Sequence, residues 1–383
     1  MPTKREVSIS KPFMGPEEVL AVQRPLASGW LTQGPCVAEF EKEFAKIHSV
    51  EHAFATTSCT TALHLALVAL GIGPGDEVII PSFTWIATAN VVEYVGATPV
   101  FCDITKDTYN IDIDKVEQLI TPRTRVVIAV HLFGLCADIE PLKKICSPKK
   151  IYIVEDAACA AGASYYGKMA GSLGDIGCFS FHPRKIITTG EGGMCTTNDP
   201  DLAKKIGCLR NHGASLSEEQ RHHGAQPYQL PEFNILGFNY RMTDIQGAIG
   251  LAQLARLHAL VTERRSWAKW YRKELSSLNW LTVTAIPEQY EHSYQAFVCS
   301  IDKTRSPKTR DQILEYLHKA GVGGRPGTHA IHMLNYYANK YHLKPDDFPQ
   351  SRDCNNDTLA IPLHNKMQPE DYEYVVELLK GLK

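Results

Sequence analysis

The segment from Ile151 to Met194 constrains the fold of this chain more than any other. It reads IYIVEDAACAAGASYYGKMAGSLGDIGCFSFHPRKIITTGEGGM. It opens with an apolar, largely β-branched run, Ile151-Tyr152-Ile153-Val154, which stops at Glu155-Asp156. Such a run predicts a buried parallel strand that delivers its last residues to the carboxyl edge of an open α/β sheet, where ligands gather. A second apolar run, Ile176 to Phe181, leads into His182-Pro183-Arg184-Lys185 and then Thr188-Thr189-Gly190-Glu191-Gly192-Gly193. Glycines there let the chain turn and approach a ligand closely. One segment therefore offers a carboxylate at a strand end, a hydroxyl at Ser180 and a lysine ahead of a glycine-rich loop.

That set suits pyridoxal phosphate (PLP). The cofactor needs a lysine amine for its aldehyde and an anion beside its ring nitrogen, so that the ring can accept carbanion electrons. Lys185 and Asp156 can fill these roles. A free lysine amine, with a pKa of roughly 10.4, is mostly protonated at neutral pH; imine formation ties that amine up until it is released as a base beside the reacting carbon. Taken alone, the same residues fit a solvated surface lysine and an aspartate that caps a helix.

A chain of 383 residues can form two or three domains, or one large α/β unit with an appendage. Its hydrophobic content of 44% and charged content of 21% are those of a globular protein, and a net charge of −2 gives no field favouring nucleic acid or an anionic membrane. No apolar run approaches the ~20 residues of a membrane helix. The first residues lack the apolar core of a signal peptide. The eleven cysteines contain no CxxC pair, so neither a zinc site nor a disulfide framework is expected. A cytoplasmic enzyme without a metal is the expectation.

Upstream, Pro16 to about Ser28 and Val37 to His48 read as helices, and Gly29-Trp30-Leu31-Thr32-Gln33-Gly34-Pro35 as a loop in which Thr32 is a candidate substrate contact. Ala53 to Thr57 predicts a strand, Thr57-Ser58-Cys59-Thr60-Thr61 a polar turn, and Ala62 to Leu70 an apolar helix ended by Gly71. Hydroxyls and free N–H groups at a helix start suit a phosphate, although plain capping by Ser58 or Thr60 is the favoured reading of that turn taken by itself. Glu77 to Ile80 reads as a buried strand followed by Phe83-Thr84-Trp85 and a helix from Ala87 to Tyr94. Trp85 is placed either to lie on a planar cofactor, worth roughly 0.5–1.5 kcal/mol beyond area burial, or to pack in the core. Further strands at Pro99 to Ile104 and Arg125 to Phe133, with a helix from Ile113 to Ile120 between them, complete an alternation that gives a mainly parallel sheet with helices on both faces.

Four runs, TTSCTTALHLALVALGIGPGDEVIIPSFTWIATAN, EDAACAAGA, GSLGDIGCFSFHPRKIITTGEGGM and LGFNYRMTDIQGAIGLAQL, make the chain resemble the DegT/DnrJ/EryC1/StrS aminotransferases. The likeness covers nearly the whole chain and is densest from Gly29 to Leu254, where members that make perosamine, a 4-amino sugar, look especially similar. It implies a fold-type I aminotransferase, with a mainly parallel seven-stranded sheet in a PLP-binding domain over residues 1–254 and a smaller α+β domain over 255–383. By resemblance, Lys185 would form the Schiff base and Asp156 would face the pyridine nitrogen. Trp85 would stack on the ring, and Ser58, Cys59, Thr60 and Ser180 would hold the phosphate. Asn239 would reach the phosphate from a neighbouring subunit, so a homodimer would share its sites. Cys59 stands where members usually have glycine. Cys159 stands where many have Gln or His, leaving the phenolic oxygen of the cofactor a weaker partner.

Beyond Leu202 to Leu209, a helix, the polar stretch from Ala214 to Leu230 reads as a surface loop, its His222-His223 lacking further ligands at metal spacing. Asp244 to about Leu275 is a long helical pattern. Leu281 to Thr284 and Ser293 to Ile301 read as strands, and Arg310 to Gly321 and Asp371 to Leu382 as helices. In GVGGRPGTHAIHMLNYYANKY, Arg325 can grip a carboxylate or phosphate, and His329 and His332 can meet sugar hydroxyls, unless the segment is simply packed loop. The resemblance implies amino transfer from L-glutamate to a keto sugar, nucleotide-linked, for surface-polysaccharide amino sugars. A PLP-dependent sugar dehydratase is the alternative on the same scaffold, but those relatives carry histidine in place of the lysine. A non-catalytic regulator would need a basic helix-turn-helix, which the sequence lacks.

Overall fold

The computed structural model describes residues 5–215 and 230–382. Seven strands form the main sheet: β1 (His52–Thr56), β2 (Glu77–Pro81), β3 (Thr98–Cys102), β4 (Thr124–Val130), β5 (Tyr152–Asp156), β6 (Ile176–Ser180) and β7 (Gly193–Thr197). Their spatial order is β1-β7-β6-β5-β4-β2-β3. Only β7 runs against the rest, pairing antiparallel with both β1 and β6. Burial on both faces explains the unbroken apolar runs. In β4, Val126 and Ile128 join one core, while Val127 and Ala129 join the other. The helices α1 (Pro35–His48) and α2 (Cys59–Ala69) cover the two faces, with Phe40 and Phe44 buried on one and Leu63 and Leu67 on the other.

A second core surrounds a four-stranded antiparallel sheet made of β8 (Leu281–Val283), β9 (Phe297–Ile301), β10 (Arg325–Pro326) and β11 (Thr358–Ile361), in the order β8-β9-β11-β10. Tyr271, Phe297, Ile313 and Val375 are buried within it. Fold type I, with its smaller α+β appendage, is the architecture found.

Several boundaries differ from expectation for physical reasons. The pattern from Asp244 to Leu275 is two helices, Asp244–Leu254 and Leu257–Leu275. The apolar period continues across the break, so periodicity could not reveal it. There Arg256 turns to ion-pair with Glu17 and Glu18. Likewise Pro16 to Ser28 is two short helices, Pro16–Ala21 and Gln23–Ser28. Ser293 to Ala296 is no strand, because the N–H groups of Ser293 and Gln295 donate to the carbonyls of Gly134 and Phe133 at 2.9 and 3.0 Å. Helices Asn335–Tyr341 and Pro349–Asp357 and strand β11 were missed; they are short, and the second helix is strongly polar. His222 and His223 lie outside the described residues. Among the described residues no helix is long and apolar enough to cross a membrane.

Candidate active site

The carboxyl ends of β1, β2, β5 and β6 meet at one sheet edge and open into a cavity of about 360 Å³. Its lining brings together Ser58, Cys59, Thr60, Trp85, Asp156, Cys159, Ser180, Lys185 and Arg325, residues spread over most of the chain. The parallel register places them there: Val130, the end of β4, is level with Asp156, and Asp156 is level with Cys178 of β6.

Asp156 is buried. Its Oδ2 accepts from Thr88 Oγ1 at 2.8 Å and its Oδ1 from Ala158 N at 3.2 Å, with the Cys59 thiol 4.0 Å from Oδ1. Burial raises the carboxyl above its usual range, and the Thr88 and Ala158 hydrogen bonds and the charge of Lys185 only partly pull it back. No cation is hydrogen-bonded to it among the described residues. The adjacent Glu155 points to the opposite face of β5 and is treated very differently. It accepts from the backbone N–H of Gly171, Leu173 and Gly174 and from His131 Nε2, all within 2.6–2.7 Å. Burial alone would raise Glu155, but His131 and the backbone donors outweigh it and hold its carboxyl low. Ala137 N donates to His131 Nδ1 at 3.0 Å, so Nε2 carries the proton given to Glu155. One carboxylate is thus saturated as structure while its neighbour is left short of donors.

The helix α2 starts at Cys59, three residues before the expected Ala62. Ser58 and Thr61 form a capping box: Ser58 Oγ accepts from Thr61 N at 3.1 Å, and Ser58 N donates to Thr61 Oγ1 at 3.0 Å. Capping therefore occupies Ser58 and Thr61. The N–H groups of Cys59 and Thr60 and the Thr60 hydroxyl have no hydrogen-bond partner among the described residues, and they face the cavity with Ser180. Such an array is made for a phosphate. Gly193 lets the turn lie against β7, since a Cβ there would be 2.4 Å from Ser58 C and O and 2.6 Å from Cys59 N. Gly193→Ala should therefore cost about 1–3 kcal/mol of stability and raise the dissociation constant for PLP at least tenfold in a visible-absorbance titration. Cofactor affinity equal to wild type would mean that the turn holds no phosphate.

Lys185 extends its amine into the cavity, with Nζ 3.2 Å from Cys159 Sγ. Trp85 is 58% exposed, which removes the packed-core reading. His329 pairs in register with Thr84, so the segment around Arg325 folds back beside Trp85, and the two rings lie 5.7 Å apart. His329 is exposed beside the cavity rather than in its lining. His332 is corrected outright: it is fully buried, bonded to Ser82 Oγ and Pro345 O, and cannot meet a substrate hydroxyl.

Two expected residues stand apart from this cavity. Thr32 is exposed, and its carbonyl accepts from Asp244 N at 3.2 Å. Asn239 lies beside the chain entering the turn at Ser58, where Thr57 N donates to Tyr240 O at 3.1 Å, but its side chain is exposed. Sequence reasoning overlooked Thr88, Arg184, Glu191 and Gln295, all of which touch Asp156 or line the cavity. Arg184 could have been found from its place beside Lys185; nothing local marks Gln295.

The site fits PLP on its own chemistry. It has a buried carboxylate lacking a cation, an amine in the same cavity, an open array of N–H and hydroxyl donors, and an exposed indole face. Comparisons with known proteins agree. A model of the DegT/DnrJ/EryC1/StrS aminotransferase family matches residues 12–380. GDP-perosamine synthase of Caulobacter vibrioides is 42% identical over 97% of this chain and 97% of its own length. Among solved structures, the Helicobacter pylori aminotransferase PseC, involved in pseudoaminic acid biosynthesis, superposes with a TM-score of 0.91 at 28% identity, covering 99% of each chain. Spr1654 of Streptococcus pneumoniae, solved in its PLP form, gives a TM-score of 0.91 at 29% identity over 99% of this chain and 98% of that one. The chain belongs to the DegT/DnrJ/EryC1/StrS aminotransferase family and is a PLP-dependent aminotransferase of fold type I.

Proposed function

We propose that this enzyme moves an amino group from L-glutamate to the keto group of a sugar, a nucleotide-linked keto-deoxy sugar, in the supply of amino sugars for surface polysaccharide. The observation that carries amino transfer is the meeting of Lys185 Nζ and the buried, donor-poor Asp156 in one cavity. The sugar acceptor is supported by the likeness to GDP-perosamine synthase at 42% identity. When bound, PLP supplies an electron sink for the carbanion at the donor's α-carbon. The chain's own residues do the rest. Asp156 keeps the ring nitrogen protonated, while Cys59, Thr60 and Ser180, with Ser58 holding the turn, bind the phosphate. Trp85 would cover the cofactor ring, and Cys159 would be the partner offered to its phenolic oxygen. Lys185 Nζ takes the proton from the donor's α-carbon and returns it later in the cycle.

A homodimer with shared sites completes this reading. Asn239 is free to reach a partner, and the chain exposes Val19, Leu20 and Leu26 on its N-terminal helices together with Phe233 and Leu236. Thr32 and His329 belong to the acceptor side. Free thiols at all eleven cysteines support a reducing, cytoplasmic setting.

Holoenzyme treated with L-glutamate should release 2-oxoglutarate. Keto sugars, with and without a nucleotide, can then be screened by mass spectrometry for a product that has exchanged the carbonyl oxygen for an amine. Loss of a hydroxyl with release of ammonia would make the enzyme a dehydratase and sink amino transfer.

A further inference from the structure

The loop that carries Lys185 leaves β6 at Ser180 and is closed at its base, where Phe181 O accepts from Thr189 N at 3.0 Å and from Thr188 Oγ1 at 2.7 Å. Ile186 and Ile187 bury their side chains, which fixes the depth of the loop. The direction in which the Lys185 side chain leaves it depends on the peptide plane between Arg184 and Lys185. That plane is held at both ends. Its N–H, on Lys185, donates to His182 O at 2.8 Å within the loop. Its carbonyl, on Arg184, accepts at 2.8 Å from Nε2 of Gln295, a buried residue that precedes β9 in the second core. A long, flexible side chain is placed no better than the backbone that bears it.

The same segment holds the other contact of the amine. Ser293 Oγ donates to the carbonyl of Cys159 at 3.1 Å, and Cys159 Sγ lies 3.2 Å from Lys185 Nζ. Between Ser293 and Gln295, Tyr294 takes a left-handed backbone with a φ of 53°. For a bulky residue this costs about 1–3 kcal/mol and persists only where the surroundings hold it. Arg264 does the holding. It is buried, forms no ion pair among the described residues, and donates to Tyr294 O at 2.9 Å, Leu363 O at 3.1 Å and Asn365 Oδ1 at 2.7 Å. Burial pushes its guanidinium down to about 10, so it stays charged at neutral pH. A buried cation thus pins a strained segment that reaches both partners of the Lys185–Cys159 contact.

We infer that Gln295 is a positioning residue for Lys185: by fixing the carbonyl of Arg184 it aims the amine, and with Ser293 it sets the distance of that amine from Cys159. This rests on the amino-transfer reading given above, in which Lys185 moves the proton. Although Gln295 lines the cavity, it acts through the backbone of Lys185 rather than on the substrate.

Gln295→Met keeps the length of the side chain and removes the donor. In cofactor-free protein, hydrogen exchange at the Lys185 amide should rise about tenfold, the scale of one lost hydrogen bond, while peptides from β5 keep their wild-type rates. On mixing with PLP, covalent attachment at Lys185, trapped with borohydride and read by mass spectrometry, should slow at least about tenfold, since small misplacements of a reacting group are costly. In loaded enzyme, kcat with L-glutamate should fall by at least about tenfold while KM stays within about threefold. Gln295→Glu accepts but does not donate when ionised, and it carries the same expectation if the methionine variant fails to fold. Wild-type exchange and attachment rates in the variants would overturn the inference. A raised KM with unchanged kcat would also overturn it, by making Gln295 a substrate contact, as would faster exchange spread over the whole chain, which marks a structural role alone. If PLP attaches to another lysine of the wild type, or to none, the amino-transfer reading fails instead, and exchange in cofactor-free protein still reports whether Gln295 holds the Lys185 backbone.

Discussion

Lys185→Ala is expected to reduce turnover with L-glutamate by at least about 10³-fold while leaving the fold intact. Removal of a positioned general acid–base alone costs roughly 10²–10⁴-fold, and in the proposed reading the same amine also anchors the cofactor. The side chain contributes little to the core, since Lys185 is only partly buried and its Nζ makes one hydrogen bond among the described residues, to Cys159 Sγ. The melting temperature of cofactor-free protein should therefore stay close to wild type. The measurement is single-turnover release of 2-oxoglutarate, with circular dichroism to establish folding. A variant that turns over within tenfold of wild type would remove Lys185 from the chemistry.

Asp156→Asn separates function from stability. The variant keeps the size of the side chain and can still accept from Thr88 Oγ1 at the position of Oδ2. It loses the charge that, in the proposed reading, keeps the ring nitrogen protonated, which should lower turnover roughly 10²–10³-fold, the scale of a lost electrostatic stabiliser. In cofactor-free protein the sign reverses. Burial raises the folded-state carboxyl above its unfolded value. The charged form is therefore disfavoured in the folded state, and stability falls as pH rises from the unfolded pKa through the folded one. Wild-type apoprotein should lose stability across that window, and Asp156→Asn should flatten the loss. PLP should restore stability to wild type more than to the variant. Denaturant melts at several pH values, with and without PLP, check both halves. A variant as active as wild type, or an apoprotein with the same pH dependence in both forms, would contradict the role given to Asp156.

The lining of the cavity was legible in the sequence where its residues sit at or just after strand ends. Asp156, Ser180 and Lys185 lie in one segment whose apolar runs announce buried parallel strands, and the strand ends are where such sheets hold ligands. The helix start at Cys59 was misplaced because Ser58 and Thr61 cap each other, and a polar capping box reads like a turn. His332 was misjudged since an imidazole among glycines and aromatics looks the same whether it meets solvent or, as here, closes a buried bond to Ser82.

Sequence alone thus determined the parallel sheet and which residues follow its strand ends, Asp156 and the polar turn at Ser58 among them, because each depends on local pattern and on chain direction at a strand end. Tertiary structure alone decided that Glu155 is saturated while Asp156 is short of donors, that Gln295 and Arg325 reach a cavity built by the main sheet, and that Gln295 holds the carbonyl of Arg184 beside Lys185. Those facts turn on which distant groups come within hydrogen-bonding reach, and linear spacing carries no record of that.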